Sequence, residues 1–441
     1  QLEQDYFQVF ISIKIEMLYN KYLQNPFGKE KIGRIIQKQK IKLRNQVYQE
    51  GGYLMRKNSD FKNISYVNFE MISMMITLMS CAFISYSPIR IVKECGSASV
   101  IGIIFICLAV YIFYSIILKA VFKNEYDIFS IIKKSYPPIL QKIIGIIIYF
   151  FIILYIYLII SNLLYNLKGS IYTNSTIFSI SIFFIVALYL LSKKGFNATF
   201  RIVGYVSFTI VLYIIFLFIM SINKVDINNF FPIMGNGFND IFVNNLINTG
   251  IFVPLFFYLF FGGKVAHNKK RSVYKNFNII MLVFTLVYAI LIFCFIGTIP
   301  VEIISSRYTL LLDLSSLISL TPLSLKLTPI MIFVFSLLIF ISISFCLLCG
   351  LYNIQRLNVV KDYSKYVLPS VIILLIMFLI PIPLSTYYII LTIFYILSIA
   401  ITFAFPIITL IIYYIRTKGG CKKFNNNKLK EDFVEEVDLN E

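Results

Sequence analysis

Residues 143–165 read Ile-Ile-Gly-Ile-Ile-Ile-Tyr-Phe-Phe-Ile-Ile-Leu-Tyr-Ile-Tyr-Leu-Ile-Ile-Ser-Asn-Leu-Leu-Tyr, with no charged side chain in the run. A helix needs about 20 mostly apolar residues to cross the hydrocarbon of a bilayer, so this stretch is long enough to span it. Working outward, nine further runs have the same character: 67–87, 98–120, 175–192, 202–222, 244–262, 277–299, 328–350, 367–385 and 387–415. None carries Lys, Arg or Asp at its centre, where one charge costs about 2.5–3.5 kcal/mol on the insertion scale. The ninth and tenth runs nearly touch around Pro381, Pro383 and Ser385, but their combined length requires two crossings.

Composition agrees. Apolar residues make up 59% of the 441 and charged residues 14%, about half the charged share of a soluble domain. Mean hydropathy is +0.82. The net charge of +19 does not indicate nucleic acid, because the Lys and Arg residues sit in the gaps between apolar runs. The expected fold is therefore an all-α integral membrane protein of about ten transmembrane helices, spanning 67–416. A basic polar arm (1–66) precedes it, and a basic then acidic tail (417–441) follows.

Loop charge sets the orientation. The gaps after the second, fourth, sixth and eighth runs are rich in Lys and Arg, for example Lys133, Lys134, Lys193, Lys194, Lys269, Lys270, Arg271 and Arg356. The alternate gaps carry only Arg90, Lys93, Lys168, Lys224, Arg307 and Lys326. Both termini are thus expected in the cytoplasm, with the arm held near anionic lipid. Within the arm, Gln49-Glu50-Gly51-Gly52-Tyr53-Leu54-Met55 can be encoded by a string holding a ribosome-binding sequence just before a start codon. Translation is therefore expected to start at Met55, with 1–54 as upstream reading frame. A peptide from native protein ending before Met55 would refute this.

Chemistry-bearing motifs are sparse. Cys346-Leu-Leu-Cys349 lies inside a spanning run with no second pair, so packing explains it better than metal or redox work. His267 stands in a basic loop, and Arg90, Lys93 and Glu94 read as a local surface cluster. No phosphate-binding loop, HExxH, nucleophile elbow or intramembrane carboxylate pair occurs. No enzyme, metal or cofactor is expected.

Two runs are interrupted. The first ends Ser80-Cys81-Ala82-Phe83-Ile84-Ser85-Tyr86-Ser87-Pro88, and the sixth contains Asn248-Thr249-Gly250 followed by Pro254. Proline cannot donate the helical bond, and unwound backbone in membrane helices survives where it lines a cavity. The first and sixth runs stand five apart, as matching elements of two five-helix repeats do. Ordinary proline kinks account for Pro88 and Pro254 equally well on sequence grounds.

Between the fifth and sixth runs the chain reads Val225-Asp226-Ile227-Asn228-Asn229-Phe230-Phe231-Pro232-Ile233-Met234-Gly235-Asn236-Gly237. This resembles the V-D-x-x-N-x-x-P-x-x-G-x-G segment of the B subunits of spore germinant receptors, within the amino acid–polyamine–organocation transporter superfamily. Pro88, with Lys93-Glu94 and Gly96 behind it, is similar to a second family pattern. The resemblance covers about 62–416 and implies a LeuT-like 5+5 inverted repeat in the inner membrane of the spore. It implies partnership with an A subunit and a lipoprotein C subunit, and the sensing of a small nutrient such as an amino acid. The implied binding set is Ser85, Ser87 and the backbone of Cys81 and Ala82, facing Asn248, Thr249 and Gly250. The sequence departs from the family by having Cys81 where Gly is usual and Ile251 where Glu is frequent. An amino acid permease and a subunit without ligand binding therefore stay open beside the receptor.

Overall fold

A computed structural model describes residues 68–86, 88–124, 127–170, 174–261, 270–306, 328–380 and 382–419. The arm with its expected start at Met55, Ser87, the His267 loop and the acidic tail lie outside the described residues. What is described falls in the compact unit Ser65–Glu441, and it is helical throughout, with no strand among the described residues.

The helices are α1 (Asn68–Tyr86), α2 (Pro88–Cys95), α3 (Ser99–Asn124), α4 (Ile128–Ser135), α5 (Pro138–Ser170), α6 (Ile177–Lys193) and α7 (Gly195–Ser221). They continue as α8 (Phe238–Phe242), α9 (Val253–Phe261), α10 (Lys270–Thr298), α11 (Val301–Ser306), α12 (Thr328–Arg356), α13 (Val367–Leu379), α14 (Leu384–Ile399) and α15 (Phe405–Gly419). Seven helical stretches are long and apolar enough to cross a membrane, and three shorter apolar ones accompany them at Phe69–Ser85, Ile177–Lys193 and Ser364–Leu379. Each of the ten apolar runs read from the sequence falls on one of these stretches.

The surface is as apolar as the runs predict. Phe183 is 76% exposed and Tyr205 80%, with Phe150, Phe208, Leu282, Phe333 and Ile393 also outward. A water-facing surface does not carry contiguous patches of this size, whereas acyl chains solvate them. Inside a bilayer no water is at hand to pair backbone groups, so they must be satisfied within the helices, which is why the spanning elements are helical.

Two elements avoid the lipid. All nine residues of α9 are buried, and α1 buries Met71, Met74, Met75, Leu78, Met79, Cys81, Ala82 and Phe83. Around α1 pack α5, α7, α9, α10 and α12, together with the 3₁₀ segment Asn244–Phe252 that leads into α9. The two interrupted runs are therefore the innermost elements. Aromatic rings fill the space between them and their neighbours: Phe83 lies 3.8 Å from Tyr288 on α10, and Phe261 stacks 5.4 Å from Tyr352 on α12. Cys346 and Cys349 sit buried in α12, one turn apart.

At one end the Val225–Gly237 segment straps α2 to α10. The backbone N–H of Asp226 donates to the Gly297 carbonyl at 2.8 Å, Asn229 Nδ2 donates to the same carbonyl at 3.2 Å, and Phe230 stacks on Phe293 at 4.9 Å. Toward α2, Ser97 donates to the Pro232 carbonyl. Asn236 Nδ2 donates to the Lys93 and Glu94 carbonyls at 2.9 and 3.0 Å. Those carbonyls belong to the last turn of α2, where no helical donor remains, so Asn236 caps that helix. Gly235 has φ +51°, and a Cβ there would run into the Cys95 carbonyl. The residues that carry the resemblance thus build a clamp. Asn236→Ala should cost about 1 kcal/mol and should speed hydrogen exchange in α2 without touching α5 or α6; unchanged exchange would mean the cap adds nothing.

Candidate functional site

The first interruption falls later than the sequence suggested. Cys81 and Ala82 are helical and fully buried, and α1 stays regular to Tyr86. The expected unwinding at Cys81 is thus absent, and a new helix, α2, starts at Pro88. Pro88 supplies the reason: it has no N–H to return to the Ile84 carbonyl, while residues before it keep their donors. Ser85 faces inward at 4% exposure.

The sixth run changes helix type instead of unwinding. Residues Asn244–Phe252 wind as a 3₁₀ helix, much longer than the usual three or four residues, and α9 starts at Val253. Pro254 cannot give the Gly250 carbonyl an α-type (i+4) bond. Ser398 on α14 takes that place, with Oγ 2.9 Å from Gly250 O and 2.7 Å from Tyr395 O. Gly250 itself lies tight against α14: a Cβ would sit 2.5 Å from Ser398 Oγ and 2.8 Å from Tyr395 O. Gly250 therefore serves the contact with α14, not an opening toward α1 as expected. Thr249 is half-buried.

Asn248 is different. Its Nδ2 donates to Asn245 Oδ1 at 2.8 Å, and Asn245 Nδ2 donates to the Gly102 carbonyl on α3 at 3.1 Å. A backbone carbonyl only accepts, which fixes the amide of Asn245 and through it the amide of Asn248. Asn248 Oδ1 is left as an acceptor, fully buried and with no hydrogen-bond partner. The hydroxyls of Ser85 and of Ser342 on α12 are buried as well, and both lie beside the Cys81 thiol. Buried polar atoms are almost always paired, so the open Asn248 acceptor, on a segment that packs against α1, marks a place where another molecule's donor fits.

Residues that sequence reading passed over complete the picture. Asn245 and Ser342 were visible only as polar letters in apolar runs. Arg90, two residues beyond Pro88, does not pair with Glu94 as expected. Its guanidinium lies over the Tyr395 ring, 4.6 Å from the centroid. Tyr395 is buried and also backs Gly250, so Arg90 and the sixth-run break share one neighbour. A separate small crevice between α1, α7 and α12 has an apolar lining that includes Ile84, Met331 and Phe335.

A family model described as spore germination protein matches residues 66–387, well over half of the chain. The chain belongs to the spore germination protein family. Among curated proteins none matches. The span matched to the spore germination family runs from just before α1 into the start of α14. It takes in both interruptions and the Val225–Gly237 strap, and it ends before Tyr395 and Ser398.

Proposed function

We propose that this chain is the B subunit of a germinant receptor, which binds a small nutrient, an amino acid in the first instance, and thereby triggers germination. In this reading it stands in the inner membrane of the spore beside an A subunit and a lipoprotein C subunit, with both termini cytoplasmic. Its ten helices form two inverted repeats of five, so that the breaks in the first and sixth are equivalent positions.

The observation that carries the reading is the orphaned Asn248 Oδ1, an obligate acceptor held by the Asn245–Gly102 relay. A ligand ammonium or hydroxyl supplies the missing donor, and Ser85 and Ser342 offer two further hydroxyls at α1 and α12. A buried acceptor left unpaired costs about 1–3 kcal/mol, so a ligand donor that pairs it is favoured by a similar amount. Binding changes the receptor only through its differential affinity for two states. The first-run break beside Ser85 supplies the joint about which α1 and α2 can differ between them.

The test is germination of spores deleted for this gene and complemented with variants. Wild type restores the nutrient response, whereas Asn248→Ala, accumulating normally, is expected to need at least tenfold more nutrient. Full response from Asn248→Ala and from Ser85→Ala would sink the binding reading. A second reading, a docking subunit that binds no ligand, draws on Ser398, which already donates to the Gly250 carbonyl. It predicts full activity from both variants. Uptake of labelled amino acid by the reconstituted chain alone would instead favour a permease.

A further inference from the structure

A guanidinium binds in two independent ways: its face lies on aromatic rings, and its edge carries five N–H donors in one plane. Tyr395 covers the face of Arg90 at 4.6 Å. Among the described residues no carboxylate reaches Arg90 and no acceptor takes its edge, although Glu94 follows one turn later on the same helix. Arg90 is half-buried on α2, the short helix that packs on α1, α3 and the 3₁₀ segment. It stands two residues into α2 from Pro88, and Tyr395 ties it to Gly250, two residues from the Asn248 acceptor.

We infer that Arg90 recognises the anionic end of the ligand, so that the ligand must carry a carboxylate. Tyr395 holds the guanidinium flat and leaves its donor edge for a two-point contact with both carboxylate oxygens. With Asn248 accepting from a donor group, the pair of residues selects a molecule bearing a cation or hydroxyl at one end and a carboxylate at the other. This inference rests on the binding reading above and adds to it the charge class of the ligand and the residue that reads it.

The test uses the full chain in phosphatidylcholine nanodiscs, with thermal unfolding followed against the twenty L-amino acids and their α-carboxamides. At least one amino acid is expected to raise the melting temperature, and its carboxamide to bind at least tenfold more weakly. In Arg90→Gln the amino acid should fall to the carboxamide's affinity, with Arg90→Lys between, because an ammonium restores charge but not the fork. Equal binding of acid and carboxamide by wild type overturns the inference without needing any variant. So does undiminished acid binding by Arg90→Gln. If phosphatidylglycerol stabilises wild type but not Arg90→Gln while the acid shift persists in both, Arg90 serves a lipid headgroup and the inference falls. No shift with any amino acid or carboxamide removes the binding reading itself, and the inference with it.

Discussion

Gly250→Ala should be among the most damaging single methyl groups this chain can acquire, lowering stability by about 3–5 kcal/mol. Overpacking alone costs about 1–3 kcal/mol in a rigid core. Here the new Cβ meets Ser398 Oγ at 2.5 Å, Tyr395 O at 2.8 Å and the edge of the Tyr395 ring at 2.8 Å. Two of those three atoms belong to a backbone and a buried ring, so only Ser398 can turn away. If it does, the Gly250 carbonyl loses the Ser398 hydrogen bond, which adds about 1–2 kcal/mol. The mutations are coupled and the coupling is measurable. Ser398→Ala alone pays only the lost hydrogen bond, and the Gly250→Ala/Ser398→Ala double variant should be more stable than the sum of the singles, because the nearest clash has gone. Melting of the purified variants in one detergent decides it. A Gly250→Ala protein melting with wild type would mean that the 3₁₀ segment does not seat on α14 this way.

That example shows what the letters did and did not carry. The ten helical stretches were legible because a bilayer imposes a length and a composition on each crossing, and both are written locally. Pro88 and Pro254 were legible as missing donors for the same reason. The partner of a missing donor is not local. Nothing near Pro254 points to Ser398, which lies 148 positions on from Gly250, and so Gly250 read as an opening when it is a contact. The resemblance implies an open backbone at Cys81, where the family usually has Gly, yet a proline disturbs only the carbonyl four residues back and its own neighbour. Arg90 read as a surface charge because its sequence neighbours Lys93 and Glu94 are charged, while the group that defines it, Tyr395, comes from α14. The strap was legible as a family signature without revealing that its job is to cap α2 and hold α10.

At the other end of the bundle a single carboxylate joins α4 to α12, and Asp127→Ala should cost about 2–3 kcal/mol. Asp127 Oδ1 accepts from the Ser130 backbone N–H at 2.8 Å and from the Ser130 hydroxyl at 2.6 Å, capping α4. Its Oδ2 receives Arg356 Nη2 at 2.8 Å from the last turn of α12. A cap of this kind is worth about 1 kcal/mol. The ion pair is one-sided: the Asp127 side chain is 5% exposed and that of Arg356 38%, so solvent screens it and it adds about 1 kcal/mol more than a surface pair. Partial burial, then the Arg356 guanidinium, holds the Lys133 ammonium below its usual pKa, with Asp127 pulling the other way. Removing Asp127 should therefore depress Lys133 further. The consequence reaches inward because Phe129, two residues into α4, packs 4.6 Å from Phe260 on α9 and 5.6 Å from Tyr352 on α12, and α4 also packs along α15. Loosening α4 thus frees the end of the sixth-run helix whose other end holds Asn248. Asp127→Asn keeps an oxygen for the cap and loses the charge, so it should recover about half of the loss. Hydrogen exchange over residues 128–135, read beside the melting temperature, separates the two contributions. Equal losses in Asp127→Asn and Asp127→Ala would assign the whole effect to charge, and unchanged exchange in both would free α4 from any dependence on this residue.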